Sequence, residues 1–231
     1  GYTTGANNFF YLDEQAVTER AIEPQFLRPL LKSLRGVNHR KVTAADCDMQ
    51  VFWAGPDPVP QGSAAADYIA WGEEQGYHLR RTCAGRTPWY GLPRQDPAGL
   101  LLAKGTWLRH FAPLLEGDIR VDQQLYRLRL AAGVPLLAAA ALLNCAWTAL
   151  QLELNGRVNF GEGVLWLAAY EVQELLLPDP CYMPDEQLAV LQVNIGFDAI
   201  ESLCQGIKER TLVPIIVVGM GTDECGRTVN R

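Results

Sequence analysis

Several motifs that mark common enzyme classes are missing from this 231-residue sequence. It contains no G-x-x-x-x-G-K-[ST] phosphate loop and no G-x-S-x-G nucleophile elbow. Its three histidines, His39, His78 and His110, lack metal-ligand partners at helical spacing. VVGMGTDECG resembles the start of a dinucleotide fingerprint, but only ten residues follow Gly221, too few for the helix that such a loop must open. The residues therefore predict no catalytic, cofactor-binding or metal site in this chain.

Cysteine pairs with the spacing of zinc ligands are also absent. The six cysteines lie far apart, and none belongs to a C-x-x-C pair: Cys47, Cys83, Cys145, Cys181, Cys204 and Cys225. This pattern favours free thiols in a reduced, cytoplasmic setting. The chain starts at Gly1 without a signal-peptide pattern and passes directly into aromatic residues. We therefore expect it to be a fragment of a longer protein.

Charge is distributed unevenly along the chain, whose formal net charge is -6. From Leu130 to Arg231, five Lys/Arg stand against twelve Asp/Glu, whereas the first 129 residues hold fifteen against fourteen. Two stretches of this first part are basic: residues 28–41, with five bases, and residues 80–129, with nine bases against four acids. We call residues 28–41 the first basic segment, and residues 80–109, which hold the candidate residues of the second stretch, the second basic segment. The first contains no acidic residue, and the second has Trp89 and Tyr90 among its arginines.

These two segments predict a surface for a polyanion. Arginine suits phosphates and guanine edges because its guanidinium group can donate two parallel hydrogen bonds. The candidate DNA-binding residues are Arg28, Lys32, Arg35, Arg40, Lys41, Arg80, Arg81, Arg86, Arg94, Lys104 and Arg109. A single binding groove requires both segments to lie on one face. Solvated loop charge is the alternative for either segment alone.

The order of apolar residues predicts short strands first and longer helices later. NNFFYLDE, QVFWAG, GLLLAKG and QLYRLRL are typical of strands. EPQFLRPLLKSL has the spacing of a short helix after Pro24, and a second helix is predicted around residues 68–74 with Ser63 as its N-cap. The predicted fold class is α+β, with a β-rich part at residues 1–130 and a longer helical part at residues 131–231.

The second part contains the longest predicted helix, over residues 135–154, with Pro135 at its start and Asn155-Gly156 as its stop. Polar residues interrupt its apolar run and favour a packed helix over a membrane span: Asn144, Thr148, Gln151 and Glu153. Its expected core residues are Leu136, Leu137, Leu143, Trp147 and Leu150. The tail at 185–231 has no assigned role, although its pattern predicts one or two helices and then a strand and a glycine turn.

Five segments resemble, in order, a pattern of adenine-specific DNA methyltransferases. TTGANNFFYL resembles the TGAND-FF-L or TGLNEAF motif that opens the target-recognition region of this family, and FLRPLLKS resembles its RPLL-G segment. RTPWYGL is similar to R--WY-L, and LLLPDP to the closing LP-P-P. LLNCAWTALQLELNGRVNFGEGVLWL resembles LLNS followed by GR-N-G-G-L-L. The matches extend from Gly5 to about Pro180, and the family pattern does not cover the chain from Asp185 onward.

The resemblance implies a C-terminal target-recognition (specificity) region of a TaqI-like N-6 adenine-specific DNA methyltransferase. The implied fold is of the DNA-methylase specificity-domain type. The implied partners are double-stranded DNA and the catalytic methyltransferase domain of the same parent chain, with no membrane. The parent would use S-adenosylmethionine, but the glycine motif for that cofactor and the Asn/Asp-Pro-Pro-Tyr/Phe tetrad are both missing here. We therefore expect the fragment alone not to be an enzyme, and its parent to methylate adenine in restriction-modification or related phage defence.

A protein–protein interaction or scaffold module of such a system is the alternative function. In that case the helix predicted over residues 135–154 docks on another subunit, and the basic loops do not contact bases. The two functions differ in how duplex binding depends on salt, because phosphate contacts produce a steep dependence.

Overall fold

The structure, a computed structural model, describes residues 1–55, 58–106, 109–158 and 163–186, together with the backbone of residues 212–214. Its α-helices are α1 (Asn7–Phe10), α2 (Glu14–Arg20), α3 (Ala64–Glu74), α4 (Arg81–Ala84), α5 (Leu136–Leu143), α6 (Ala146–Asn155) and α7 (Ala169–Gln173). Its strands are β1 (Tyr11–Leu12), β2 (Leu27–Leu31), β3 (Lys41–Val42), β4 (Met49–Phe52), β5 (Leu100–Ala103), β6 (Gly105–Thr106), β7 (Leu114–Leu115), β8 (Arg120–Val121), β9 (Leu125–Leu128), β10 (Leu165–Trp166), β11 (Leu176–Pro178) and β12 (Leu212–Pro214). Single 3-10 turns cover Pro24–Phe26, Ala44–Asp46, Tyr77–Leu79 and Pro180–Tyr182. The fold is therefore mixed α/β, with small sheets and several helices.

The chain forms two compact units that are interleaved in sequence. The first unit contains Gly1–Asn38, Val42–Asp96 and Glu116–Gln123. The second contains His39–Lys41, Pro97–Leu115 and Gln124–Arg231. The division into residues 1–130 and 131–231, predicted above from the order of apolar residues, stays a prediction.

The first unit is built on a four-stranded sheet with the order β1-β4-β2-β8. Strand β4 is antiparallel to both of its neighbours, and β2 is parallel to β8. The strand predicted in QVFWAG is confirmed by β4, but the helix predicted in EPQFLRPLLKSL is wrong. Pro24 begins only one 3-10 turn, and the residues after it form β2, because pairing with strands on both sides satisfies their backbone groups.

Aromatic side chains form the core of the first unit around Phe9. Its ring stacks on Tyr68 at 4.7 Å between centroids and contacts Trp89 at 4.8 Å. Gly72 lets α3 lie close to the Phe9 ring, because a Cβ at this position would lie 2.5 Å from Phe9 Cε2. The strand predicted over NNFFYLDE is only partly confirmed, since the helical turn α1 places Phe9 in the core before β1 begins.

Helix α3 begins where the sequence predicts. The Ser63 hydroxyl accepts a hydrogen bond from the Ala66 amide at 3.1 Å, which confirms Ser63 as the N-cap. The carboxylate of Glu23 accepts hydrogen bonds from the Ala64 and Ala65 amides at 2.9 and 3.0 Å. A negative charge at this helix end also interacts favourably with the helix dipole.

The core of the second unit centres on β5. Strands β7 and β9 pair with β5 on either side, and β3 borders β7 in the sheet order β3-β7-β5-β9. Leu100, Leu101 and Leu102 are fully buried, which confirms the buried strand predicted in GLLLAKG. Strand β9 confirms the prediction for QLYRLRL, since Tyr126 and Leu128 are buried while Arg127 is half-buried.

The single long helix predicted over residues 135–154 is wrong. It is two helices, α5 and α6, which meet at a bend of 57°. Asn144 ends α5, because its side-chain amide donates to the Ala140 carbonyl at 2.7 Å and to the Ala112 carbonyl at 2.9 Å. The Thr148 hydroxyl donates to the Leu142 carbonyl at 2.6 Å. At Leu142, this hydroxyl stands in for the backbone amide that a continuous helix would have supplied.

The break also changes which residues enter the core. Leu143 is buried as predicted, but the prediction is wrong for Leu136, Leu137, Trp147 and Leu150, which are exposed. The buried residues of α5 are instead the alanines at 138–141 together with Leu142 and Leu143, so the C-terminal part of this helix is buried on all sides. Among the described residues no single helix has the length and hydropathy of a membrane span, and only the bent pair α5 and α6 meets that test jointly.

The tail is described only at β12, which pairs antiparallel with β11. This pairing confirms part of the strand predicted after residue 210. The helices predicted before it and the glycine turn after it lie outside the described residues. Cys47, Cys83, Cys145 and Cys181 are free thiols, as predicted, whereas Cys204 and Cys225 lie outside the described part.

Candidate nucleic-acid interface

The opening motif TTGANN packs against the second basic segment within the first unit. Gly5 has a left-handed φ of +76°, and a Cβ at this position would lie 2.4 Å from Thr82 Cβ. The Cys83 thiol lies 3.6 Å from the Thr4 carbonyl, to which it donates. Only glycine combines this backbone conformation with such a close approach at low cost. The motif is therefore a tightly docked loop.

Arg80 and Arg86 hold this loop from the side of the second basic segment. Arg86 Nη2 donates to the Thr3 carbonyl at 2.6 Å, and the guanidinium carbon lies 5.6 Å from the centre of the Phe10 ring. Burial lowers the pKa of Arg86 from its ordinary value. Arg80 Nη1 lies 3.5 Å from the Gly5 carbonyl, and its guanidinium lies over Tyr77. Both arginines thus have structural partners in addition to any role at a ligand.

The RTPWYGL segment forms one wall of an open cleft of about 750 Å³ in the first unit. Trp89 points away from this cleft into the core, where its Nε1 donates to Glu73 at 2.9 Å. The described lining of the cleft is Gly55, Pro58, Arg86, Thr87, Pro88, Tyr90, Gly91, Leu92 and Pro93. Of the aromatic pair in this segment, Tyr90 and not Trp89 is therefore the one available to a ligand.

Besides Arg80, four predicted residues of the first unit are exposed cations: Lys32, Arg35, Arg81 and Arg94. Within the described part of the chain, none of these four side chains forms an ion pair. Lys32 and Arg35 follow β2, Arg81 begins α4, and Arg94 follows the cleft wall. Because these residues lie next to a strand or a helix, their backbone is fixed, and their side chains can contact phosphates from the surface.

Arg28 belongs to a cluster of charges around Trp53, and the sequence did not single out the other members. The guanidinium carbons of Arg28 and Arg120 lie 5.0 and 5.2 Å from the centre of the Trp53 ring. Asp118 bridges the two arginines, at 3.3 Å from Arg28 Nε and 2.8 Å from Arg120 Nη1. Gly55 lies against the Trp53 ring and also lines the cleft.

One sequence signal could have identified Arg120. It is a cation between two apolar residues in DIRV, and it lies on β8 where the sheet pairs it with Leu30 of β2. The position of Asp118 against two arginines carries no such signal, because it depends on the pairing of strands distant in sequence.

The remaining predicted residues lie in the second unit. The Arg40 carbonyl accepts a hydrogen bond from the Leu114 amide, and Lys41 begins β3. Lys104 Nζ lies 5.2 Å from the centre of the Tyr126 ring, and the Arg109 guanidinium lies 4.6 Å from that of Phe111. The prediction that both basic segments share one face extends over both units and stays a prediction.

The described residues form a mixed α/β domain with exposed cations in its first unit. The structure is similar to that in "Characterization and crystal structure of the type IIG restriction endonuclease BpuSI", with a TM-score of 0.54 and 10% sequence identity. The match covers 92% of the present chain but only 25% of that chain, so the domain spans about a quarter of the longer protein.

The family follows from the sequence match. Residues 1–211 match the family described as the C-terminal domain of the type II methyltransferase M.Eco57I, and the chain belongs to this family. The resemblance to the C-terminal region of a DNA methyltransferase is thereby confirmed at the level of the type II methyltransferases.

Proposed function

We propose that this domain binds double-stranded DNA and recognises the target site for an adenine-specific DNA methyltransferase. Membership in the C-terminal family of a type II methyltransferase is the observation that carries the proposal. The partner would be a catalytic domain of the same parent chain, which would bind S-adenosylmethionine and transfer the methyl group. The system would serve restriction-modification or a related phage defence.

The charges of the first unit support this function despite the net charge of -6. Four of its exposed cations, Lys32, Arg35, Arg81 and Arg94, lie in loops or at the ends of elements. Phosphate contacts from such residues would place the domain on the duplex, and arginine side chains in the cleft region would contact base edges. In the parent, these contacts would hold the duplex while the catalytic domain flips the adenine out of the base stack.

Duplex binding by the 231-residue chain tests the proposal. Anisotropy of a labelled mixed-sequence duplex, titrated at several salt concentrations, should give micromolar binding that weakens steeply with salt. Replacing Lys32, Arg35, Arg81 or Arg94 by alanine should weaken binding and reduce the log–log slope by about one for each phosphate that is no longer neutralised. Arg80 and Arg86 are less suitable because their removal also releases the Thr3–Gly5 loop.

Arg129→Ala is a matched control, since Arg129 is an exposed arginine outside both basic segments. It should leave the slope unchanged. Wild-type chain that shows no salt-dependent duplex binding at micromolar concentration would rule out direct DNA binding by this domain.

A second candidate function, docking on another protein surface, is favoured by one observation. Trp147, Leu150 and Leu154 are exposed on α6 at spacings that place them on one helix face. Leu176, whose carbonyl accepts a hydrogen bond from Trp147 Nε1, is exposed beside them. Loss of binding to the catalytic domain in a Leu150→Ser, Leu154→Ser variant, with duplex binding retained, would support this function.

A further inference from the structure

We propose that Arg28 and Arg120 form a phosphate subsite, and that the Asp118 carboxylate occupies its anion position and competes with DNA for it. The inference rests on the proposed function, since the phosphate would belong to a backbone phosphodiester of the duplex. It adds two residues, Arg120 and Asp118, to the candidate interface of the first unit.

The carboxylate marks a point from which an anion contacts both guanidinium groups. Asp118 Oδ1 lies 2.8 Å from Arg120 Nη1, and Asp118 Oδ2 lies 3.3 Å from Arg28 Nε and 3.4 Å from Arg120 Nη2. A phosphodiester also carries one negative charge and offers two free oxygens to such donors. The three side chains have a net charge of +1, so the arginines remain attractive to a further anion.

The two arginines are held in place for this role. Arg120 lies on β8 opposite Leu30 of β2, and its side chain is only 8% exposed. Arg28 Nη1 donates to the carbonyls of Gln25 and Leu27 at 2.9 and 2.7 Å. Both guanidinium groups also lie over the Trp53 ring, which favours fixed cations. The donor groups of both arginines are therefore already fixed, and binding a phosphate would cost little side-chain conformational entropy.

The aspartate, in contrast, is replaceable. Its side chain is 63% exposed, and it follows Gly117, which has a φ of +88° and no neighbour within 4 Å of a Cβ position. Because the carboxylate is already largely solvated, its departure costs little desolvation, and an incoming phosphate would again pair the buried charge of Arg120. The position of the carboxylate at the solvent boundary also means that a phosphate can reach the same point from outside.

The experiment compares Asp118→Asn with Glu116→Gln in the full chain. Glu116 is an exposed acid two residues away, so both variants gain the same net charge in the same loop. Anisotropy with a mixed-sequence duplex should show about 3- to 10-fold tighter binding for Asp118→Asn at equal salt, which corresponds to about 0.7–1.4 kcal/mol. The gain for Glu116→Gln should be smaller, and adding Arg28→Gln to Asp118→Asn should abolish the gain.

Thermal unfolding in inorganic phosphate gives a readout that is independent of DNA. Compared with chloride at equal ionic strength, phosphate should raise the Tm of Asp118→Asn more than that of wild type or Glu116→Gln. Phosphate salts stabilise folded proteins in general, and comparing the rise in Tm between variants cancels this common contribution. Arg28→Gln serves instead of an Arg120 variant because the buried Arg120 supports the sheet.

Duplex affinity and phosphate stabilisation together distinguish failure of the subsite from failure of the proposed function. If Asp118→Asn gains neither phosphate stabilisation nor duplex affinity beyond Glu116→Gln, the subsite is wrong. A gain in duplex affinity that persists with Arg28→Gln would overturn it as well. Phosphate stabilisation that depends on Arg28, in a chain that binds no duplex, would support the anion position and refute both the DNA assignment and the proposed function.

Discussion

Replacing Gly5 by alanine should destabilise the first unit more than the same change at an unrestricted glycine. Two costs add at Gly5. The left-handed φ of +76° costs an L-residue about 1–2 kcal/mol. In addition, the new Cβ would lie 2.4 Å from Thr82 Cβ, well inside the optimal carbon–carbon distance of about 3.5–4.0 Å. Relieving such an overlap in a packed region costs about 1–3 kcal/mol more, so the total is about 2–5 kcal/mol.

Gly36→Ala is the matched control for this prediction. Gly36 has a φ of +90°, but a Cβ there would meet no atom within 4 Å, so only the backbone cost of about 1–2 kcal/mol applies. Urea unfolding followed by tryptophan fluorescence gives the free energy of unfolding of each variant. A double-mutant cycle with Thr82→Gly should recover the steric part. Equal losses for Gly5→Ala and Gly36→Ala would refute the close packing of the opening motif on α4.

Three further outcomes follow from the described contacts. Leu143→Ala should lower the free energy of unfolding by about 2–5 kcal/mol because Leu143 is buried, whereas Leu150→Ala, at an exposed position, should cost less than about 1 kcal/mol in the same urea titration. Glu23→Gln should cost about 1 kcal/mol at pH 7. Hydrogen bonds from its own amide and from the Ala65 and Ala64 amides lower the pKa of Glu23. Its contribution is therefore present above its ordinary pKa and is lost as the pH falls through the lowered one, so urea titrations at pH 7 and pH 3 should show the difference from wild type shrinking. Thiol titration under denaturing, non-reducing conditions should detect all six cysteines, while under native conditions the exposed Cys181 should react before the buried Cys83 and Cys145; fewer than six thiols, or equal native rates, would contradict this.

The family motifs were recognisable without the structure, but their roles were not. TTGANNFF, RPLL and RTPWYGL are each short local patterns, and together they identified the family region correctly. In the structure they largely build the scaffold. Phe9 and Trp89 are core rings, Gly5 permits the contact with Thr82, and Arg86 holds the Thr3 carbonyl. A sequence motif shows which residues occur together along the chain. Only the packing shows which of them lie in the core and which face solvent.

Local signals also located several elements. Ser63 before a run of helix formers predicted the start of α3, and a short apolar run ended by glycine predicted β5. Both signals act within a few residues of the chain. The prediction failed where distant partners compete with local spacing, as in FLRPLLKS, which pairs as a strand with β4 and β8.

The sequence by itself determined the family, the positions of strongly local elements and the concentration of positive charge in two segments. Those properties depend on residue order and composition alone. The tertiary structure decided that Asn144 breaks the long helix, because its side chain bonds to Ala112 across 32 residues. It also decided which cations have partners, since Arg28 and Arg120 meet at Asp118 only when β2 and β8 pair. Such contacts join residues whose separation along the chain carries no local signal, so they exist only once the sheet has formed.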